Sequence, residues 1–564
     1  MSGLLRILII TGLKSFDEIS QIANKINKEE KVQISCRVLK APVDVSAFMQ
    51  PAHVIDLCSS LTKQDYDLIL VPGFTTWDTK DLSEIVSIPV YKGTRFSGDL
   101  YDLLCCIRDI ALSTKKAADY LLRNHSKQKI DEHIKTITED YSHMGQPREG
   151  TRILRFVTPR GRQILTGGDF PPLLIAEIVD SPKLSDSDIM EKVQYYVSSG
   201  ADVIDLGMIH GQSHPERIRN LIPRIKKTYD ILVSVDSVEM NEMIAGIESG
   251  VDMILSIDGE NIHPFLEYAR NHPVKDDIGI ILIPLNRPDH KAIEDPIKKA
   301  EFLISLAQIL TSHGFKNLFY DALLQSPISP GLTESLNNYY ILNHHITQIP
   351  SLNYPTFIGL HNVFELVDVD SSGLIGLLTL IALELHCAGI FTTEFSPKTL
   401  GSVKDTKRSI ELGYYAKISK SPPTNLGIDG FSVKSKRKSL ERMEKPAIII
   451  DLSKEHVYKK KIQQLIEQKY EFIHDTTGYF KIYANHKTHL IEAFFIPFDE
   501  TKKRLSLNGP LLLKGSTAES LYKAIFKLGL VREISHAFYL GKELSKAEFA
   551  LYVNAAYFED TDLE

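Results

Sequence analysis

The chain has 564 residues, of which 43% are hydrophobic and 24% charged, as in ordinary globular proteins. This length exceeds what one hydrophobic core usually supports, so we expect two or three domains. The net charge of −7, with Lys and Arg spread along the chain, argues against a dedicated nucleic-acid-binding protein.

The N-terminal segment predicts a Rossmann-like α/β domain over residues 1–150. Apolar runs that read as strands alternate with helical stretches, a pattern typical of a parallel sheet covered by helices. The strands are predicted at 5–12, 33–39, 66–73 and 88–93, a helix at 16–29, and a long polar helix at 100–142. The short apolar run at 7–10 is not expected to be a secretory signal, and no run approaches the roughly 20 residues that span a bilayer. We therefore expect a cytoplasmic protein without a membrane partner.

The middle segment, 151–420, predicts a (β/α)8 barrel, also called a TIM barrel. Eight strand-like runs, each followed by an amphipathic or apolar stretch, match the size and count of this fold better than a doubly wound sheet. The strands are predicted at 173–179, 202–207, 231–236, 252–257, 278–284, 317–322, 356–360 and 389–393. Predicted helical stretches include 187–200, 214–229, 296–314, 376–389 and 402–418.

A polar and basic linker after residue 420 predicts a third domain, a small α+β unit over 421–564. We expect a strand at 447–452 and a hairpin formed by 479–485 and 489–497. Two helices, at 516–529 and 535–555, are expected to follow. The five cysteines have neither the spacing of a disulfide framework nor that of a C-x-x-C metal site.

Most of the predicted barrel strands end in a hydrogen-bond acceptor, and in this fold the chemistry lies at those carboxyl ends. Such a ring suits a ligand rich in N–H donors, but carboxylates also bind Mg²⁺ or Mn²⁺, or simply cap the next helix. The residues concerned are Glu177, Asp180, Asp205, His210, Asp236, Ser256, Asp258, Asp321, His361, Asn362 and Glu394.

The stretches SGADVIDLG (199–207) and VSVDSVEMNEMIAGIESGVDMILSIDG (233–259) resemble the pterin-binding domain of dihydropteroate synthases and methyltetrahydrofolate-type methyltransferases. The resemblance implies that Asp236 and Asp321 hold the pterin ring, with Asp205 and Asn362 beside it. Ser256 and Asp258 stand where the family usually has Asn-Asp, and they are expected to line the same site.

The set of motifs along nearly the whole chain resembles a three-domain archaeal dihydropteroate synthase-like family associated with tetrahydromethanopterin biosynthesis. This resemblance implies a homodimer. Two motifs differ from those of true synthases. GLHNV (359–363) replaces the Ser-Arg-Lys motif and is similar to the Gly-Leu-Ser-Asn-Val of pterin-dependent methyltransferases. In place of Arg-x-His, the chain has Ser396, Lys398 and Thr399, a candidate anion site.

The leading hypothesis is a transferase that condenses a 6-hydroxymethyl-dihydropterin diphosphate with an arylamine and releases pyrophosphate, as in folate or tetrahydromethanopterin biosynthesis. Asp236, Asn362 and Lys398 are the expected catalytic residues, and Lys398 and His210 are expected to face a diphosphate that binds with Mg²⁺. A phosphorylated amine would need a second anion site, for which His214, Arg217 and Lys92 are candidates. The alternatives are a corrinoid-linked methyltransferase and a pterin-binding protein without catalysis.

Overall fold

The computed structural model describes residues 3–29, 33–144, 150–270, 272–286, 291–424, 426–428, 430, 475–506 and 508–560. The chain divides into two compact units, Met1–Lys438 and Ser439–Glu564. The finer division at residues 150 and 420 stays a prediction.

The N-terminal part of the first unit contains a four-stranded parallel sheet in the order β2-β1-β3-β4. Its strands are β1 (Leu5–Thr11), β2 (Ile34–Lys40), β3 (Leu68–Val71) and β4 (Val90–Lys92). Its helices are α1 (Phe16–Ile26), α2 (Pro51–Cys58), α3 (Lys80–Ile85), α4 (Ser97–Cys106) and α5 (Ala118–Met144). Ile7 and Ile9 belong to one hydrophobic cluster and Leu8 and Ile10 to another, because helices cover both faces of the sheet. The predicted α/β class is confirmed.

The long helix predicted at 100–142 is wrong in its middle, where a loop separates α4 from α5. In this loop the carbonyl of Ser113 accepts a hydrogen bond from the backbone N–H of Lys92, on β4. The Ser113 hydroxyl accepts from the N–H groups of Lys115 and Lys116. These hydrogen bonds replace the ones that a continuous helix would make. Helix propensity alone does not predict them, because one of them comes from a strand distant in the sequence.

The barrel is confirmed as a closed ring of eight parallel strands. They are β7 (Leu173–Ile178), β8 (Val203–Gly207), β9 (Leu232–Asp236), β10 (Met253–Ile257), β11 (Gly279–Leu282), β14 (Asn317–Tyr320), β15 (Thr356–Gly359) and β16 (Cys387–Thr393). A two-stranded ribbon, β12 (Leu285–Asn286) with β13 (Lys291–Ala292), follows the fifth of them.

Helices surround these strands. They are α6 (Asp186–Ser199), α7 (Pro215–Thr228), α8 (Met240–Glu248), α9 (Ile262–Ala269), α10 (Pro296–Ser312), α11 (Leu332–Thr347), α12 (His361–Phe364), α13 (Ser371–Glu384) and α14 (Ser402–Ser419). The helical stretch predicted at 376–389 runs too far, because residues 387–389 begin the last barrel strand, where apolar side chains are equally buried.

A hairpin absent from the sequence-based prediction, β5 (Leu154–Val157) with β6 (Gln163–Thr166), packs against the amino ends of the barrel strands. The ring of Phe156 stacks on Phe319 with centroids 6.3 Å apart. The Thr166 hydroxyl donates to the Ala388 carbonyl at 2.6 Å. The bottom of the barrel is therefore covered, and the opposite end carries the functional side chains.

The described part of the second unit is an antiparallel sheet of β17 (Gly478–Asn485), β18 (Leu490–Pro497) and β19 (Leu511–Gly515) with three helices. The helices are Asp499–Leu505, Ala518–Lys527 and Ile534–Val553. The predicted hairpin and both predicted helices are present, whereas β19 and the first helix were not predicted. The strand predicted at 447–452 lies outside the described residues. No helix in the described ranges is long and apolar enough to cross a membrane.

Candidate active site

Three adjacent barrel strands bring three carboxylates together at the mouth of the barrel. Glu177 on β7 pairs in register with Asp205 on β8, and Asp236 ends β9 opposite Gly207. One oxygen of each carboxylate lies within 4.8 Å of the others. We call Glu177, Asp205 and Asp236 the carboxylate cluster. Sequence analysis placed all three near the carboxyl ends of strands but did not predict that they would form a cluster.

Asp205 lies at the centre of this cluster and is completely buried. Its Oδ1 atom accepts a hydrogen bond from the Ser234 hydroxyl at 2.5 Å, whereas its buried Oδ2 atom has no hydrogen-bond partner in the described part of the chain. Burial raises the pKa of Asp205 well above its usual range, and the charges of Asp236 and Glu177 act in the same direction. A buried acceptor of this kind calls for a proton, a cation or a donor from a ligand.

The other two members also have raised pKa values. Burial, and then the charge of Asp236, raises the pKa of Glu177 to about 8. Burial and the charge of Asp321 raise the pKa of Asp236 to about 7. The cluster therefore does not carry its full negative charge at neutral pH, because some of its carboxyl groups keep their protons.

A cleft of about 180 Å³ opens beside the cluster. It is lined by Glu177 and by the segments that follow β8 and β9, residues 207–210 and 236–239. His210 is exposed at this cleft, as its predicted contact with a bound anion requires. That role stays a prediction.

Asp321 follows β14 and is 6% exposed. Its Oδ1 atom accepts hydrogen bonds from the Tyr339 hydroxyl at 2.5 Å and from the Leu323 N–H at 2.8 Å. Burial raises the pKa of Asp321 to about 6, although these bonds and the charge of Lys299 oppose the rise. Two donors thus fix one oxygen, while the other accepts no hydrogen bond from the described residues.

Asp258 and Ser256 hold the turn that leads into the helix after β10. The Oδ1 atom of Asp258 accepts from the N–H groups of Glu260 at 2.9 Å and Asn261 at 3.0 Å. The Ser256 carbonyl accepts from the side-chain amide of Asn261 at 2.9 Å. These contacts match the capping role that the sequence left open, and a pterin contact by either residue stays a prediction.

The candidate anion site after β16 is built around Glu365, which follows α12. This carboxylate accepts hydrogen bonds from the hydroxyls of Ser396 and Thr399, each at 2.6 Å, and from the backbone N–H groups of Phe395 and Ser396. Burial would raise the pKa of Glu365, but these hydrogen bonds together lower it. The Lys398 ammonium donates to the Val367 carbonyl and to Asp368, both at 2.9 Å. The predicted anion ligands therefore already bind protein acceptors.

Asn362 lies on the short helix α12, directly after β15, and is partly buried. Its side-chain amide has no hydrogen-bond partner among the described residues. The neighbouring His361 is packed against Phe391 at 5.1 Å between ring centroids. Burial lowers the pKa of His361 to about 4, so this ring is neutral near pH 7.

The other residues singled out from the sequence have protein partners. Glu394 accepts from the backbone N–H of Val403 at 3.1 Å and so caps α14. Asp180 pairs with Lys183 at 2.7 Å, and the Arg217 guanidinium pairs with Asp186. The His214 N–H donates to Glu242 at 2.6 Å, and the Lys92 ammonium donates to the Thr75 carbonyl at 2.5 Å in the N-terminal sheet.

Two residues near the mouth were missed by sequence analysis. Lys299 is a 5% exposed lysine on the first turn of α10, and Glu365 organises the loop after β16. The only signal for Lys299 was the KK pair in PIKKAEF, which is typical of an exposed helix face. Glu365 does not directly follow a strand, so a search for polar residues at the carboxyl ends of the strands could not find it.

The carboxylate cluster fits a hard divalent cation. Its donors are all oxygens, they are close enough to share one ion, and the buried Oδ2 atom of Asp205 lacks a partner among the described residues. The donor set therefore suits Mg²⁺, with room in the cleft for further oxygen ligands.

Residues 178–366 match the family model described as pterin binding enzyme. The barrel belongs to the dihydropteroate synthase-like pterin-binding family. A second family model, described as PterinBD-DUF4346, matches residues 474–560.

Two relatives differ in how much of the chain they match. An uncharacterized protein of Methanocaldococcus jannaschii is 29% identical over 573 residues and covers 100% of both chains. The dihydropteroate synthase of Streptococcus pyogenes is 23% identical over 189 residues, which is 30% of this chain and 65% of that protein.

Solved structures similar to this chain include two dihydropteroate synthases. The Yersinia pestis enzyme with a pterine-sulfa conjugate has a TM-score of 0.36 at 16% identity, covering 48% of this chain and 100% of that one. The Thermus thermophilus enzyme in complex with 6HMPPP has a TM-score of 0.35 at 17% identity, with 47% and 99% covered.

Proposed function

We propose that this protein is a transferase that condenses a 6-hydroxymethyl-dihydropterin diphosphate with an arylamine and releases pyrophosphate. The observation that carries the proposal is the convergence of Glu177, Asp205, Asp236 and Asp321 on the mouth of a barrel of the pterin-binding family. The 2-amino and ring N–H groups of a reduced pterin are donors that buried carboxylates accept side by side.

In this proposal Asp236 and Asp321 hold the ring. The Oδ1 atom of Asp321 is fixed by Tyr339 and Leu323, which leaves the other oxygen for the ligand. Asn362 has an amide without a partner among the described residues, and it would contact the ring from β15, the strand next to β14. The ring must be held rigidly because condensation requires its exocyclic carbon to face the amine.

A diphosphate carries several negative charges, and a cation would offset its repulsion from those carboxylates of the cluster that are ionised. We assign Mg²⁺ to the carboxylate cluster, where it would neutralise the diphosphate and stabilise the leaving group. His210 lies at the same cleft and is the nearest candidate to donate to a phosphate oxygen. Lys398 can join only after releasing Asp368.

In the condensation, the amine nitrogen forms a bond to the exocyclic carbon of the pterin while the bond from that carbon to the diphosphate oxygen breaks. The electron pair leaves with pyrophosphate, and the nitrogen then loses a proton. The protein's contribution is to position the two substrates and stabilise the departing charge.

The experiment is to mix the purified protein with the dihydropterin diphosphate, Mg²⁺ and a panel of arylamines, and to measure pyrophosphate release. Asp236→Asn removes a ring-binding carboxylate, and Asp131→Asn, at an exposed position of α5, is the matched control. Release that requires an arylamine and is lost only in Asp236→Asn supports the proposal. Pterin binding without release with any amine would refute it.

A second candidate is methyl transfer from a reduced pterin to a corrinoid or other acceptor. It is favoured by Asn362 within GLHNV, whose amide has no hydrogen-bond partner among the described residues. It requires no diphosphate. Transfer of the methyl group from a methylated pterin to cob(I)alamin supplied in reduced form, abolished by Asn362→Ala, would distinguish it. The tetrahydromethanopterin or folate route, the archaeal source, the homodimer and the cytoplasmic location stay predictions.

A further inference from the structure

The last helix, Ile534–Val553, packs one side against the sheet of the second unit. Leu540, Leu544 and Leu551 on this side are buried in one cluster with residues of the strands. On another side of the same helix four large side chains are exposed, by 69%, 77%, 44% and 70%: Ile534, Phe538, Phe549 and Tyr552. The described residues of the second unit leave these side chains exposed, and contiguous apolar surface of this kind marks a binding interface.

The four exposed side chains belong to a single stripe. Gly541 and Ser545 lie between them and continue the same spacing, so that positions recur at intervals of four, three, four, four and three residues. With 3.6 residues per turn, residues at these intervals lie on one side of a helix, within an arc of roughly 80°. We call the following residues the outer stripe: Ile534, Phe538, Gly541, Ser545, Phe549 and Tyr552. The outer stripe contains no charged residue, whereas a helix side that faces water is usually charged or polar.

The middle of the outer stripe is small. In the described part of the chain a Cβ atom at Gly541 would meet nothing within 4 Å, so the fold of one copy does not require glycine there. Glycine also disfavours the interior of a helix. Small side chains at one point let a second helix cross at close range, while the large side chains on either side pack around it. The outer stripe therefore has the shape of a helix-packing surface.

The outer stripe is nearly the same in both directions along the helix. Ile534 and Tyr552 each lie nine residues from its midpoint at Glu543. Gly541 and Ser545 each lie two residues from this midpoint, and the two phenylalanines lie five and six residues from it. An antiparallel copy would set large side chains against large ones and small against small. A surface that binds itself across a two-fold axis must have this property, whereas a surface for a different protein need not.

The exposed area is sufficient for a dimer. The four large side chains of the outer stripe are about two-thirds exposed on average, and such side chains have roughly 150–250 Å² of surface each. Each copy therefore presents about 500 Å², and a two-fold contact would remove about 1,000 Å² from water. This area reaches the lower limit for a specific interface before the edges of the contact are counted.

We propose that the outer stripe binds the outer stripe of a second copy of this chain, with the two helices antiparallel and crossing at Gly541 and Ser545. Ile534 of one copy then packs against Tyr552 of the other, and the phenylalanines pack beside the crossing. The inference goes beyond the proposed function and does not depend on it, because it concerns the second unit. It assigns the contact between copies to this helix rather than to the barrel.

Sedimentation velocity of the full chain over a range of concentrations measures the dissociation constant of the dimer. Phe538→Glu should raise this constant by about 100-fold or more, because each dimer would bury two unpaired charges. The matched control is Tyr483→Glu. Tyr483 is half exposed, and it lies on the face of the sheet opposite to the helices, because its neighbour Ile482 is buried in the cluster with them. The control should leave the dissociation constant unchanged.

Gly541→Leu tests the crossing without adding charge. In one copy the new side chain enters open space and replaces a residue that disfavours a helix, so each copy should fold at least as stably. The same side chain would hold the two helices apart, and we expect the dissociation constant to rise by about tenfold or more. Gly373→Leu, at another helical glycine whose Cβ atom would meet nothing within 4 Å, should have no effect on the dimer.

Ile534→Lys and Tyr552→Glu test the antiparallel arrangement. Each substitution alone should weaken the dimer. The double variant should recover at least about tenfold of the lost affinity, because the lysine of one copy meets the glutamate of the other. The two positions are 18 residues apart, or about 27 Å along the helix, so they cannot pair within one copy. A parallel pair of helices would show no recovery, since like charges would meet.

A full chain that is monomeric at every concentration would overturn the inference, as would a dimer that resists both Phe538→Glu and Gly541→Leu. Loss of thermal stability in both variants where the unaltered protein is monomeric would show that residues of the same chain cover the outer stripe, which also overturns it. If Phe538→Glu alone fails to fold, Gly541→Leu decides. A double variant that associates no better than the single variants refutes the antiparallel arrangement.

Discussion

The carboxylate of Glu177 occupies the space beside the Cα atom of Gly207 in which any other residue would carry its Cβ atom. The two positions lie on neighbouring strands, β7 and β8, and Gly207 also stands opposite Asp236 in the register of the sheet. The missing side chain at position 207 therefore lets Glu177 lean across β8 towards Asp205 and Asp236. The carboxylate cluster depends on this close approach.

Gly207→Ala should displace Glu177 without unfolding the barrel, because the atom that a new Cβ would meet is the far end of a flexible side chain. We expect Mg²⁺-dependent pyrophosphate release to fall by about tenfold or more, since the cluster loses one ligand. The matched control is Gly373→Ala on α13, where a Cβ atom meets nothing within 4 Å. Equal activity of the two variants would contradict this account.

Asp236→Asn should change how stability depends on pH in metal-free buffer. The pKa of Asp236 is about 7 in the folded protein and near 4 in an unfolded chain. Between these values the folded state holds a proton that the unfolded state has lost, so the free energy of unfolding falls as pH rises. Asparagine cannot ionise, so in Asp236→Asn this contribution to the fall in the free energy of unfolding is absent.

Urea unfolding at pH 5 and pH 8 measures the effect. The stability of Asp236→Asn relative to the unaltered protein should rise by roughly 2 kcal/mol from pH 5 to pH 8. The free energy of unfolding of Asp131→Asn should change between pH 5 and pH 8 by the same amount as that of the unaltered protein. A relative stability that stays constant with pH would show that Asp236 titrates normally.

Mg²⁺ should raise the melting temperature of the protein in a concentration-dependent way, because an ion that binds only the folded state stabilises it by mass action. Asp205→Asn should abolish most of this shift, since the unpartnered Oδ2 atom is the most buried oxygen of the cluster. Glu267→Gln, at an exposed position of α9, is the control. An equal shift in all three proteins would place the ion elsewhere.

Asp368→Asn should strengthen the binding of pyrophosphate if Lys398 serves as an anion ligand. Asp368 is fully exposed and its carboxylate competes for the Lys398 ammonium. Removing its charge frees the lysine. We expect the affinity for pyrophosphate to rise by only about two- to fivefold, because an exposed ion pair such as Lys398–Asp368 is weak. Calorimetric titration with pyrophosphate measures this, and Lys398→Met should cancel the gain. If neither substitution alters affinity, Lys398 has no anion role.

The sequence alone determined the fold class and the positions of the eight barrel strands, within one or two residues at most ends. Each strand is a short, nearly continuous apolar run, because both of its faces are buried. In each helix the apolar residues instead recur at the helical spacing of about 3.6 residues. The same reasoning located Asp236 and Asp321 at strand ends and Asp205 within β8, since a polar residue in or directly after an apolar strand is conspicuous.

Only the tertiary structure decided which of these side chains meet and which are already occupied. Glu177 joins Asp205 and Asp236 because strand register and the bare Cα atom of Gly207 allow it. Ser396 and Thr399 instead bind Glu365, which lies in the loop after β15, and Lys299 is buried in the first turn of α10. Contacts between residues distant in sequence depend on closure of the barrel, so local sequence patterns do not predict them.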